Sequence, residues 1–160
     1  MSRFFSLFLA AFLLSPRISS AQTIEELLIG TWDCKMETKR QGQVVSVYSD
    51  TRTFNGKRVS GVGTLFIPGS ERRSTLLSKA SFDARVRVRK GKVYANNMRV
   101  KRVEDKLDGR TAWVPNAGKS MSEGAVRGVF PAYPKFVSRD VVVWTIERTD
   151  LTYQCKRRKN

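Results

Sequence analysis

The chain contains no histidine and only two cysteines among its 160 residues. Without an imidazole the common acid–base arrangements and the serine–histidine–aspartate type of triad are excluded. Two thiols and no histidine also fall short of a zinc site, which draws on four Cys or His ligands in its structural form. Acidic residues are scarce: Asp plus Glu is 14 against 30 for Lys plus Arg, a formal net charge of +16. Also missing is an apolar run of the roughly twenty residues needed to span a bilayer. The longest such run extends only from Phe4 to Leu14. The sequence has neither internal repeats nor low-complexity tracts, and 41% hydrophobic residues suffice for the core of one globular domain.

Arg3, the apolar run and the polar stretch ending Ser19-Ser20-Ala21 have the three-part build of a secretory signal, with cleavage expected after Ala21. The expected organisation is a signal peptide over 1–21 and a single domain over 22–160. No cysteine lies near the cut, so a lipid anchor is not expected, and no later segment is expected to cross a membrane. The expected location is outside the cytoplasm, periplasmic or secreted. There an even pair of cysteines, Cys34 and Cys155, is expected to bridge. The plainer alternative is two buried free thiols. A bridge would link the two ends of the mature chain and, by loop entropy, add about 4 kcal/mol.

Thr23 to Gly30 reads as a short helix, capped by Thr23, with Glu25 and Glu26 in its first turn and Gly30 as its stop. From Thr31 onward, period-two patterns dominate. Trp32, Cys34 and Met36 alternate with Asp33, Lys35 and Glu37. Asn55-Gly56, Lys90-Gly91 and Asp108-Gly109 mark turns. Ala80, Phe82, Ala84, Val86 and Val88 are expected to face inward, with Ser81, Asp83, Arg85, Arg87 and Arg89 outward. Tyr94, Asn96, Met98 and Val100 are expected to share one face. Gly61 and Gly63 suggest a bend or bulge. The stretch from Trp113 to Phe136, rich in Gly, Pro, Ala and Ser, reads as a long connection with room for short strand pieces, before two final strands. The fold class is therefore all-β, about eight antiparallel strands in an up-and-down barrel preceded by a short helix.

If Cys34 and Cys155 face each other on antiparallel neighbours, Trp32 lies opposite Arg157 on the same face. A guanidinium over the indole would close one end of the barrel. The alternative is an ordinary core tryptophan and a solvated basic tail. Gly30-Thr31-Trp32 after a short helix, with Arg157 on the last strand, resembles the lipocalin-like (calycin) barrels. These begin with a Gly-x-Trp motif under a basic residue of the last strand. The resemblance implies an up-and-down barrel over the whole mature chain and, as a function, the carriage of an apolar ligand. The Thr-Asp-Tyr-type motif of true lipocalins is absent, so the resemblance concerns the fold.

No catalytic site is expected. Glu104, Asp105 and Asp108 cluster, but beside Lys106 and a turn glycine they read as a solvated loop. Gly118-Lys119-Ser120 lacks the spacing of a phosphate loop. The expectation is a non-catalytic binding module without cofactor or metal. Its basic surface, Arg85, Arg87, Arg89, Lys90 and Lys92, would engage an acidic protein, in the manner of an inhibitor or immunity protein, or an anionic lipid or glycolipid. Solubility alone is the plainer account of the charge, and export argues against nucleic acid. The alternative function is a carrier or sensor of a small apolar or amphipathic ligand, with Phe82, Tyr94, Met98 and Trp144 on the cavity wall. For these four the plainer reading is core filling.

Overall fold

The computed structural model describes residues 22–71, 73–111, 124–147, 149 and 151–159. The expected signal peptide and the Gly118-Lys119-Ser120 stretch lie outside them. Helix α1 is Ile24–Leu28. The Thr23 hydroxyl accepts the Glu26 N–H, and the Glu26 carboxylate accepts the Thr23 N–H at 2.9 Å. This reciprocal box satisfies two donors that a helix start leaves free. Leu28, at the far end, is buried under the barrel.

The strands are β1 Gly30–Arg40, β2 Gln43–Asn55, β3 Arg58–Ile67, β4 Leu76–Arg89, β5 Lys92–Leu107, β6 Arg110–Thr111, β7 Ala132–Ser138, β8 Val141–Ile146 and β9 Thr152–Arg157. Their order is β4-β3-β2-β1-β9-β8-β7-β5-β6, and a further β4–β5 pairing closes the ring. Eight strands thus form an antiparallel up-and-down barrel, with the two-residue β6 appended to β5. Gln41-Gly42, Lys90-Gly91 and Asp108-Gly109 all have positive φ at both residues. That is the geometry of a type I′ turn, whose twist matches the strands it joins.

The disulfide joins Cys34 to Cys155, linking the first strand to the last. Register across β1 and β9 is Cys34 opposite Cys155 and Trp32 opposite Arg157. The inward set on β4 is the expected alternation, with Ala80, Phe82 and Ala84 buried and Arg85, Arg87 and Arg89 exposed.

Three local readings are corrected. Gly61 and Gly63 sit in unbroken register on both sides, so they form no bulge. They are small because the interior is full: a Cβ at Gly63 would come within 2.7 Å of the Tyr48 hydroxyl and 3.0 Å of Val126 Cγ2. One at Gly61 would run into the Thr51 carbonyl oxygen and press on the Phe82 ring at 3.0 Å. The bulge is in β5, where Asn97 has φ 52° and the register slips against Ala84. One extra residue reverses the side-chain phase. Val93 and Ala95 therefore join Met98 and Val100 against the core, and Tyr94 falls on the opposite face. A second slip, between Glu104 and Arg102, turns Asp105 inward. It is buried and accepts the Ser78 hydroxyl at 2.5 Å, not solvated in a loop.

The long connection contains a strand and, beyond the expectation, a helical segment. Residues 124–128 are helical, and β7 begins at Ala132. Pro134 obscured this strand in the sequence. It is tolerated because β7 meets β5 through one residue pair only, Val93 and Ala132. Val126 and Val129 of the preceding segment are buried in the core, and the Tyr153 hydroxyl donates to the Val129 carbonyl at 3.3 Å.

Candidate functional site

One end of the barrel is closed by Arg157. Its guanidinium carbon lies 4.2 Å from the centroid of the Trp32 ring. It donates to the carbonyl of Leu27 at 2.7 Å and to that of Ile29, and its Nε lies 3.5 Å from the Asp140 carboxylate. Trp32 Nε1 donates to the Leu28 carbonyl at 2.8 Å. One cation therefore joins β9, the end of α1 and the β7–β8 turn over a buried indole. Gly30 is part of this device: its φ is 122°, and a Cβ there would lie 2.7 Å from the guanidinium. The spacing Gly-x-Trp has a physical reason in this chain. The glycine leaves room for the arginine that covers the tryptophan.

Tyr48, Asp50, Arg52 and Phe54 alternate inward on β2 and are all buried. Arg52 and Asp50 form a bidentate ion pair with no exposed side-chain surface. A third guanidinium contact goes to the Tyr153 hydroxyl at 3.0 Å. The Arg52 guanidinium carbon lies 5.3 Å from the Phe130 ring centroid, 6.0 Å from that of Trp144 and 5.1 Å from that of Tyr153. Trp144 stacks on Phe54 and Tyr153. Burial pushes the Tyr153 phenol up to about 12, even though Arg52 opposes the shift. Burial, then the Asp50 charge, raises Tyr48 as well.

The four residues expected on a cavity wall therefore do not share one cavity. Phe82 and Trp144 are buried core. Met98 packs against that core from β5. Tyr94, on the other face, joins Met98, Phe130 and Pro131 around an open groove of about 300 Å³.

Of the five expected anion-binding residues, four are alike and one is not. Arg85, Arg87, Arg89 and Lys90 are exposed, and among the described residues none of them is in an ion pair. Lys92 is different. It is half-buried, bonded to the Glu147 carboxylate, and stands 4.9 Å from the Tyr133 ring centroid and 5.6 Å from that of Tyr94. Its amine is held well above its ordinary value, first by Glu147 and then by Tyr133. Lys92 therefore ties β5 to the barrel wall.

Alternate residues on one strand face recur every ~6.8 Å, so Arg85, Arg87 and Arg89 form a ladder of cations of about that spacing. Arg58 extends it across β3, directly opposite Arg85. Among the described residues, the carboxylate bonded to it there is Asp83, 3.4 Å from Arg58. In water, like charges at this spacing repel weakly and remain free to meet an anion.

Compared with known proteins, the chain matches no family model, and no curated protein matches it in sequence. Among the described residues there is no group of three or more His, Cys, Asp or Glu that could hold a metal ion. No helix among them is long and apolar enough to cross a membrane.

Proposed function

We propose that this chain is an exported, non-catalytic binding module built on a lipocalin-like barrel. The outer face of its β4–β5 hairpin engages an anionic component of the cell envelope, or an acidic protein in the manner of an inhibitor or immunity protein. The observation that carries this reading is the exposed ladder of Arg85, Arg87 and Arg89 with Lys90 beside it, none of them ion-paired among the described residues, on a disulfide-closed scaffold. The net charge of +16 adds a long-range field that draws anions toward it. Arg3 and Arg17 would leave with the signal peptide and lower that charge by only two.

The carrier alternative has less support. The barrel interior is occupied by the Arg52–Asp50 pair and by Phe54, Trp144 and Tyr153. An apolar cargo there would have to displace a buried ion pair or the aromatic rings around it.

The reading is tested by capture of partners from an envelope extract, using the immobilised protein and its R85E/R87E/R89E variant. Loss of capture in the variant supports it. Capture by the variant equal to that of the parent protein counts against this surface.

A further inference from the structure

The pairing of β3 with β4 stops at Arg58 and Arg85, whereas β4 and β5 stay paired out to Arg89 and Lys92. The hairpin therefore projects past the barrel rim, held to the β2–β3 turn by one bond from the Val86 N–H to the Lys57 carbonyl at 2.7 Å. Beyond that bond, the β3-side edge of β4 pairs with no strand among the described residues. Side chains alternate across a strand, so both kinds meet along this edge. Val86 and Val88 come from the inner face, half-buried against the core, and Arg85 and Arg87 from the outer face. With Lys57 and Arg58 they line an open groove of about 690 Å³. That volume lies within the ~300–1,000 Å³ range of small-molecule sites.

We infer that this groove binds a single-chain anionic amphiphile, its acyl chain on Val86 and Val88 and its headgroup among Lys57, Arg58, Arg85 and Arg87. The inference rests on the reading of this hairpin as an anion-binding element and names the ligand class. The apolar floor sets an amphiphile apart from a free anion: a bare phosphate would leave Val86 and Val88 wetted, whereas a hydrocarbon chain removes them from water. The cations set an anionic headgroup apart from a zwitterionic one. Glu25 of α1 also lines the groove. Its charge repels the headgroup and leaves the α1 side to the chain.

The groove is at the end of the barrel that Trp32 and Arg157 close. It therefore requires no opening of the packed interior. Asn96 and Asn97, at the β5 bulge, complete its far side with neutral amides, which bring no second carboxylate against the headgroup.

The test is calorimetric titration of the protein with myristoyl lysophosphatidylglycerol below its critical micelle concentration. Parallel arms use the phosphatidylcholine analogue of the same chain length and glycerol 3-phosphate. Vesicles rich in phosphatidylglycerol form a separate arm. Saturable binding of one lysophosphatidylglycerol per chain is expected, at least tenfold tighter than the choline analogue, with none for glycerol 3-phosphate. V86S/V88S and the fully surface-directed R87E should each weaken it at least tenfold, with R87E serving if the serine pair does not fold. Equal binding of the choline analogue, equal binding of glycerol 3-phosphate, or an R87E variant that binds as the parent does would overturn the inference. If vesicles bind but the monomeric lipid does not, the groove falls and the basic-surface reading stands. If neither binds, the lipid form of that reading falls with it.

Discussion

Trp32 lies directly opposite Arg157 across β1 and β9, with the guanidinium 4.2 Å above the indole centroid. The disulfide two residues further on sets this register. The hydrogen bonds to Leu27 and Ile29 then fix α1 against the barrel. A stacked cation contributes ~0.5–2 kcal/mol and a charged hydrogen bond ~1.5–3 kcal/mol. Arg157→Ala should therefore cost about 2–4 kcal/mol in denaturant unfolding. Gly30→Ala should also destabilise, and the two changes together should cost less than the sum of each alone. Strict additivity would mean that Gly30 serves its backbone angle only.

The buried Arg52–Asp50 pair makes an asymmetric prediction. Removing one partner leaves the other charged and dry, at a cost of roughly 3–5 kcal/mol. Replacing both by apolar residues of similar size costs much less, because no charge is stranded. Urea unfolding of R52M, D50L and the R52M/D50L pair checks this. A double variant as unstable as either single one would show that the aromatic cage needs the cation itself.

Reduction of the Cys34–Cys155 bridge, whose residues are 121 apart in sequence, should lower stability by ~4–5 kcal/mol on the loop-entropy account. The comparison is thermal unfolding with and without a reductant, alongside C34A/C155A. An unchanged midpoint would mean that the β1–β9 pairing already confines the unfolded ends.

Asp33 supplies a pH signature. Hydrogen bonds from Arg158 and then Thr51 hold its carboxyl below the ordinary value of 3.8. The Arg158 contacts are 2.6 and 3.0 Å long. A depressed carboxyl adds stability that is fully present above the unfolded value and is lost as pH falls through the folded one. The stability gap between the parent and D33N should therefore be constant above about pH 5 and shrink toward zero in more acid solution. Because the pair is largely exposed, the gap at neutral pH should be under about 1 kcal/mol and smaller in high salt. A gap that persists unchanged into acid would contradict the charge-based account.

The ends of this fold were the legible part. Two cysteines on alternating strands, one tryptophan two residues before the first and one arginine two after the second, are enough to write the β1–β9 register. The hairpin arginines were legible for the same reason, since their partners on β4 are uniformly apolar. What escaped was the interior. Asp50 and Arg52 share the parity of Tyr48 and Phe54, and that parity was the available signal. Both faces of β2 carry apolar residues, so the pattern alone left its register open, and two charges on one face gave no reason to choose that face as the inward one. Tyr94 escaped because a bulge at Asn97 reverses phase, and period-two reading carries no marker for one inserted residue. β7 was legible only as a short strand piece without bounds, because Pro134 removes a donor and interrupts the pattern a strand is recognised by.

The most direct test of the basic-surface account is co-sedimentation with phosphatidylglycerol-rich and with phosphatidylcholine vesicles, comparing the parent protein and R85E/R87E/R89E across a salt series. Each basic side chain near an anionic surface contributes about 1 kcal/mol. The account predicts preference for the anionic vesicles, a loss of at least about a hundredfold in the variant, and weakening of the parent's binding with salt. Equal binding to both vesicle types, or binding that the three reversals leave unchanged, would contradict it.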